Sequence, residues 1–261
     1  MLSNEWPVPV SDLAFFISFC FQQGLSPSSV TTYISAISFV HKLRNMQDPA
    51  GSFVICKLLE GFKRLKSRKD IRAPITEDIL IKIFHALPHI CYNQYELYLF
   101  RAVFSIAYYG LFRVGELVFT NHRQSGHPLQ YNDIGIASGC LTVHIGISKT
   151  NQYGKPIYIN IPSIQNKFIC PVVAVQQYLQ FRGSFPGNLF CHASQLPLSR
   201  YQFCAVLSKA ISYAGLSSHH YKSHSFRIGR ATSLAIAGVT SAEIKKLGRW
   251  KSHAYSSYIR P

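Results

Sequence analysis

Acidic side chains are scarce in this chain: 11 Asp and Glu stand against 27 Lys and Arg, giving a formal charge of +16 with histidine neutral. A globular protein with so little negative charge to balance its basic residues is built to meet a polyanion: DNA, RNA or an anionic membrane surface. No stretch reaches the roughly 18 apolar residues that a membrane-spanning helix needs. The most apolar early stretch, residues 13–21, lies too deep and lacks the basic flank of a signal peptide. The basic residues are spread along the chain rather than gathered on one amphipathic face, which favours nucleic acid over membrane. None of the seven cysteines (20, 56, 91, 140, 170, 191 and 204) forms a C-x-x-C pair. An odd count without framework spacing reads as reduced thiols in an intracellular protein, packed as small buried hydrophobes. Neither a G-x-G-x-x-G after a strand nor a P-loop is present, so a nucleotide-binding fold has no support. Carboxylates suited to a metal site do not cluster, and repeats and low-complexity tracts are missing.

What is present is ample material for a core. The chain has 261 residues, 48% of them hydrophobic and 13% aromatic. Ser11 is placed to cap a helix carrying Leu13, Phe16, Ile17 and Cys20 on one face, ending at Gly24. Ser26-Pro27 opens a second helix with Val30, Tyr33, Ile34, Ile37 and Val40 at helical spacing. Residues 48–51 form a turn, and a third helix spans 53–65. Then comes a basic stretch, residues 63–74, ending in a proline. It serves either as a solvated helix end with a loop or as a linker lying along phosphates through Lys63, Arg64, Lys66, Arg68, Lys69 and Arg72. It is the best domain boundary.

Thr76-Glu77-Asp78 opens the next helix, and residues 94–109 form a strongly apolar one closed by Gly110. Residues 140–147 and 156–161 alternate as two strands, joined across 148–155. Helices follow over 171–183, 199–214 and 225–237; Thr240 with Glu243 is a capping box, and a short segment covers 252–260. The expected fold is mainly α with a small antiparallel β-sheet. Residues 1–72 form a small helical domain and 73–261 a larger mostly helical one.

Four islands carry candidate chemistry: Gly110-Leu-Phe-Arg113-Val-Gly-Glu116-Leu; Ser148-Lys149-Thr150; His224-Ser-Phe-Arg227; and Leu247-Gly-Arg-Trp250 followed by Tyr255-Ser-Ser-Tyr258-Ile-Arg. Phosphoryl transfer spreads negative charge over non-bridging oxygens, which planar guanidinium groups match bidentately. A cation near the leaving oxygen can donate a proton. A tyrosine nucleophile, with an ordinary pKa of about 10, needs a base or adjacent positive charge. His219, His220 and His224 invite a zinc reading, but the cysteines have no ligand spacing and a fourth ligand is missing, so no metal is expected.

These islands, in this order, resemble the active-site signature of the tyrosine recombinase family, which includes Cre and the Xer-type and phage integrases. The wording of the first and last islands, with Thr32-Tyr33-Ile34-Ser35-Ala36-Ile37 and Arg72-Ala73-Pro74-Ile75-Thr76, looks like recombinases of eukaryotic DIRS, Ngaro and Crypton-type mobile elements. The resemblance implies a two-domain C-shaped clamp on duplex DNA, with residues 1–72 as the core-binding domain and 73–261 as the catalytic domain. It implies strand cleavage and rejoining through a covalent 3′-phosphotyrosine, with no cofactor, by protomers that self-associate into dimers and tetramers on DNA. Residue by residue, Arg113 and Arg227 bind the scissile phosphate, Glu116 supports Arg113, and Lys149 protonates the leaving 5′ oxygen. His224 assists proton transfer, the Trp250 indole N–H donates to the phosphate, and Tyr258, followed by Ile259-Arg260, is the nucleophile.

Trp250 lies eight residues before Tyr258 (258 − 250), one fewer than in Cre-like sequences, so Tyr255 is a rival nucleophile. His253 replaces an acid, and the chain ends three residues after Tyr258 (261 − 258), where many relatives continue into a helix that docks on the next subunit. The location implied is the nucleus, or a nucleoid in a prokaryote. A domesticated DNA-binding protein that no longer cuts, and a type IB topoisomerase, are the alternative functions.

Overall fold

A computed structural model describes residues 6–66, 70–120, 128–146 and 156–260. The chain divides into two compact units, Met1–Asp70 and Ile71–Pro261.

Three helices build the first unit: α1 (Val10–Gln22), α2 (Pro27–Leu43) and α3 (Phe53–Leu65). Ser11 does not cap α1. Pro9 stands at the N-cap, and its carbonyl accepts the Leu13 N–H at 3.1 Å, so the helix begins a residue before Ser11. Ser26 caps α2 through the Ser29 N–H, with Pro27 at the first helical position, where a missing N–H costs nothing. Asp48 accepts from Ala50 N–H over the short 3₁₀ turn Pro49–Gly51. Leu13, Ile17, Cys20, Val30, Ile34, Ile55 and Phe62 form the core between the three helices.

The second unit is centred on α5 (Gln94–Tyr109), which is buried almost continuously from Leu99 to Tyr108. A helix apolar on every side must sit inside its domain. Packed against α5 are α4 (Glu77–Ile90), α7 (Pro171–Arg182) and α9 (Ser225–Ile236). The one-turn α6 (Val114–Leu117) follows α5; α8 (Arg200–Tyr213) lies on α4, and α10 (Ser241–Gly248) lies on α9. A 3₁₀ segment, His253–Tyr258, also rests on α9.

The sheet has three antiparallel strands in the order β1 (Ile134–Ala137), β2 (Cys140–Ile145) and β3 (Ile157–Pro162). Leu141 faces Ile161 and Val143 faces Ile159, putting one apolar face on the core. β1 has no counterpart among the strands expected from the sequence, and β2 ends at Ile145, short of the expected 147, which itself lies outside the described residues. Cys20, Cys170 and Cys191 are buried, but Cys56 is exposed, a departure from the expectation that the thiols pack inside. Among the described residues no helix is long and apolar enough to cross a membrane.

Candidate active site

The site grows out of two chain reversals in the second unit. The first follows α5. Gly110 closes that helix, Leu111 turns left-handed (φ 50°), and Arg113 becomes the N-cap of α6. Gly110 has no room for a side chain, since a Cβ there would stand 2.3 Å from the Phe112 ring. Glu116, one turn on, reaches back: it accepts the Arg113 N–H at 2.9 Å and the guanidinium Nη1 at 3.2 Å. The carboxylate is 7% exposed and its second partner is Arg249, whose Nη2 donates at 2.7 Å.

The second reversal is at the end of α10. Arg249 is left-handed (φ 58°), and Gly248 before it lies under the Trp250 ring, where a Cβ would meet the indole at 1.7 Å. This close approach turns Trp250 into a small apolar cluster with Leu111, Ala231 and Ile244.

Arg227, in the first turn of α9, is fully buried. Its Nη1 donates to the Leu111 carbonyl and its Nη2 to the Gly248 carbonyl at 3.1 Å, so it joins the two reversals. The guanidinium lies 4.5 Å from the Trp250 ring and 5.4 Å from the Tyr258 ring. Two of its five N–H donors are engaged, and Nε has no partner among the described residues. The remaining donors are suited to anionic oxygens. Burial, followed by the charges of Arg113 and Arg249, pulls its pKa below the ordinary arginine value.

His224 precedes α9, its ring 6.3 Å from that of Tyr258. Burial is the main reason its pKa falls to about 4, with Arg72, Arg227, Arg200 and Arg113 adding to the effect. At neutral pH the imidazole is therefore uncharged and able to accept a proton.

Tyr258 is half-buried. Its ring lies 5.1 Å from Trp250, and its carbonyl accepts from the Thr232 hydroxyl at 3.3 Å. Tyr255 belongs to the same apolar cluster, but its ring contacts are His253 at 6.3 Å and the Lys245 ammonium at 6.0 Å. Of the two tyrosines, it is the Tyr258 ring that lies against Arg227, Trp250 and His224.

The structure thus brings Arg113, Glu116, His224, Arg227, Trp250 and Tyr258 together. Lys149 lies outside the described residues, as do Arg68 and Lys69. Arg72 belongs to the second unit and contributes to the field at His224. Lys63, Arg64 and Lys66 belong to the first unit. Arg64 pairs with Glu60 at 2.7 Å, and the Lys66 ammonium donates to the Phe21 carbonyl at 3.0 Å. His220 does not point to a metal site: its Nδ1 lies 3.1 Å from the Ile71 carbonyl. Arg249 sits inside the last island but is not among the residues the sequence singles out. Its left-handed backbone and inward side chain have no signature in composition or spacing.

Residue types, burial and spacing suit the binding of a tetrahedral anion beside a phenol. An integrase/recombinase xerD homolog of Selenomonas ruminantium is 27% identical over 158 residues, 58% of this chain and 44% of that protein. The chain thus spans less than half the length of that curated relative. The fold resembles XerH site-specific recombinase bound to palindromic difH substrate in a post-cleavage complex. The TM-score is 0.65 at 16% identity, covering 97% of this chain and 68% of that one. It also resembles a lambda integrase dimer bound to a COC' core site, with a TM-score of 0.64 at 16% identity over 99% of this chain and 82% of that one. Residues 75–259, which include every member of the assembled site, match the Phage integrase family, and the chain belongs to that family.

Proposed function

We propose that this protein is a site-specific DNA recombinase that cuts and rejoins duplex DNA through a 3′-phosphotyrosine on Tyr258. The observation that carries the reading is the placement of the Tyr258 ring against Arg227 and Trp250, beside an uncharged His224. The Tyr258 oxygen attacks the scissile phosphorus as His224 takes its proton. Arg113 and Arg227 hold the non-bridging oxygens as charge builds on them, and the Trp250 indole N–H adds a donor. The bond to the 5′ oxygen breaks, and Lys149 supplies the proton that makes it a hydroxyl. A phosphodiester is exchanged for another phosphodiester, so bond energy is retained and the chemistry requires neither nucleotide nor metal. The return attack by a 5′ hydroxyl from a partner strand completes recombination, with self-association on DNA bringing the strands together. The wording of the last island supports a mobile-element recombinase of the DIRS, Ngaro or Crypton type, which would act in the nucleus.

The test is covalent trapping on a labelled pool of nicked, partly randomised duplexes, where the cleaved fragment diffuses away. Wild type and Tyr255→Phe are expected to give an SDS-stable adduct and Tyr258→Phe none. An adduct lost only with Tyr255→Phe would move the nucleophile. No adduct from wild type, despite salt-sensitive DNA binding in the same tubes, would leave a DNA-binding protein that does not cut.

A further inference from the structure

Arg249 has no part in the reaction just described, yet its side chain makes three hydrogen bonds at the site. Its Nη1 donates to the Gly110 carbonyl at 3.2 Å; its Nη2 donates to the Leu111 carbonyl at 3.3 Å and to Glu116 Oε2 at 2.7 Å. Glu116 is the carboxylate that orients Arg113, and the Leu111 carbonyl is the acceptor that orients Arg227. Both acceptors depend on backbone that is costly to hold. Leu111 and Arg249 are non-glycine residues in the left-handed region, a strained conformation for an L side chain.

We propose that Arg249 is a positioning residue that locks Arg113 and Arg227 into one preset phosphate clamp and offsets the charge of the carboxylate that holds it. The inference rests on the DNA-cleavage reading. Arg113 and Arg227 with Glu116 sum to +1, and Arg249 on the same carboxylate raises the cluster to +2 while leaving Glu116 free to aim Arg113. Packing alone does not account for this choice, because a buried cation beside other cations is unfavourable, and an apolar side chain of similar volume is often as stable or more so. Burial and the neighbouring Arg113 in fact pull the Arg249 pKa below its ordinary value.

The experiment measures single-turnover cleavage of a nicked duplex, duplex affinity by fluorescence anisotropy, and melting temperature. It compares wild type, Arg249→Met, Arg249→Lys, Glu116→Gln and the Arg249→Met/Glu116→Gln pair. Arg249→Met is expected to cut at least 30-fold more slowly at saturating duplex, with affinity within threefold of wild type. Arg249→Lys, which keeps the charge but not the three-way fork, should lose at least tenfold. The double variant should be no slower than its slower parent, because both changes break one linkage. Wild-type cleavage by Arg249→Met overturns the inference. If Arg249→Met fails to fold, Arg249→Lys decides: folded and cutting at the wild-type rate, it overturns the inference just as firmly. A wild type that gives no adduct overturns the cleavage reading together with the inference, whereas intact wild-type cleavage with an indifferent Arg249 overturns only the latter.

Discussion

His224 ties the chemistry of the site to the stability of the protein. Burial first, then the charges of Arg72, Arg227, Arg200 and Arg113, hold its pKa at about 4, against an ordinary value of 6.5. Between these values the unfolded chain binds the proton more readily than the folded one, so unfolding takes up protons. Stability therefore rises with pH across this window; the contribution is complete above pH 6.5 and lost as pH falls towards 4. A neutral residue of similar reach removes the difference. We expect His224→Gln to flatten the fall in melting temperature between pH 6.5 and 4.5 relative to wild type, as followed by circular dichroism. Identical slopes in the two proteins would mean that the imidazole is not held neutral in the fold.

The helices that carry these residues are fixed by close main-chain contacts as well as by apolar packing. The Ile75 N–H donates to the Ser225 carbonyl at 3.0 Å and the Ala73 N–H to the His220 carbonyl at 2.8 Å, which lays residues 71–75 along the entry to α9. Gly229 makes that approach possible, because a Cβ there would stand 1.7 Å from the Ile75 carbonyl oxygen. Alanine within a helix gains about 1 kcal/mol over glycine in intrinsic propensity. Overpacking against a backbone atom, which cannot rotate away, costs about 1–3 kcal/mol and sometimes more. The clash wins, so Gly229→Ala is expected to destabilise the protein by about 1 kcal/mol or more, read as a lower urea midpoint. An unchanged or higher midpoint would contradict the contact.

Legibility in the sequence follows the same physics. α2, α8 and α10 announce themselves through Ser26-Pro27, Ser199 and the Thr240–Glu243 capping box. β1 escapes because four residues, Ile-Gly-Ile-Ala, are too few to display a period; it is a strand only because β2 pairs with it. α1 starts early because Pro9 already holds the extended conformation an N-cap needs. Arg113, Glu116, His224, Arg227, Trp250 and Tyr258 are legible only as an ordered set, since each alone has an ordinary surface or core role. Arg249 is hidden because its importance lies in whom it touches across more than 130 positions of chain, from Gly110 to Glu116.

The charge is divided unevenly over the molecule. Residues 71–261 carry 19 Lys and Arg against 6 Asp and Glu, +13 of the total +16, while residues 1–70 carry 8 against 5, or +3. A partner held by its phosphates releases condensed counterions as each is neutralised, so log K falls linearly with log salt, with a slope of about −0.9 per phosphate contact on B-DNA. If the second unit engages about six phosphates, the slope is about −5, and affinity drops roughly a thousandfold between 50 and 200 mM salt. Titration of a fluorescent duplex at several salt concentrations reads the slope directly. On the proposed role of Arg113 as a phosphate ligand, Arg113→Ala should make it shallower by about 1. Tyr258→Phe removes no cation and should leave the slope as it is while abolishing the adduct. A wild-type slope shallower than about −2 would be incompatible with a phosphate-tracking partner for so basic a unit, whatever the chemistry at Tyr258.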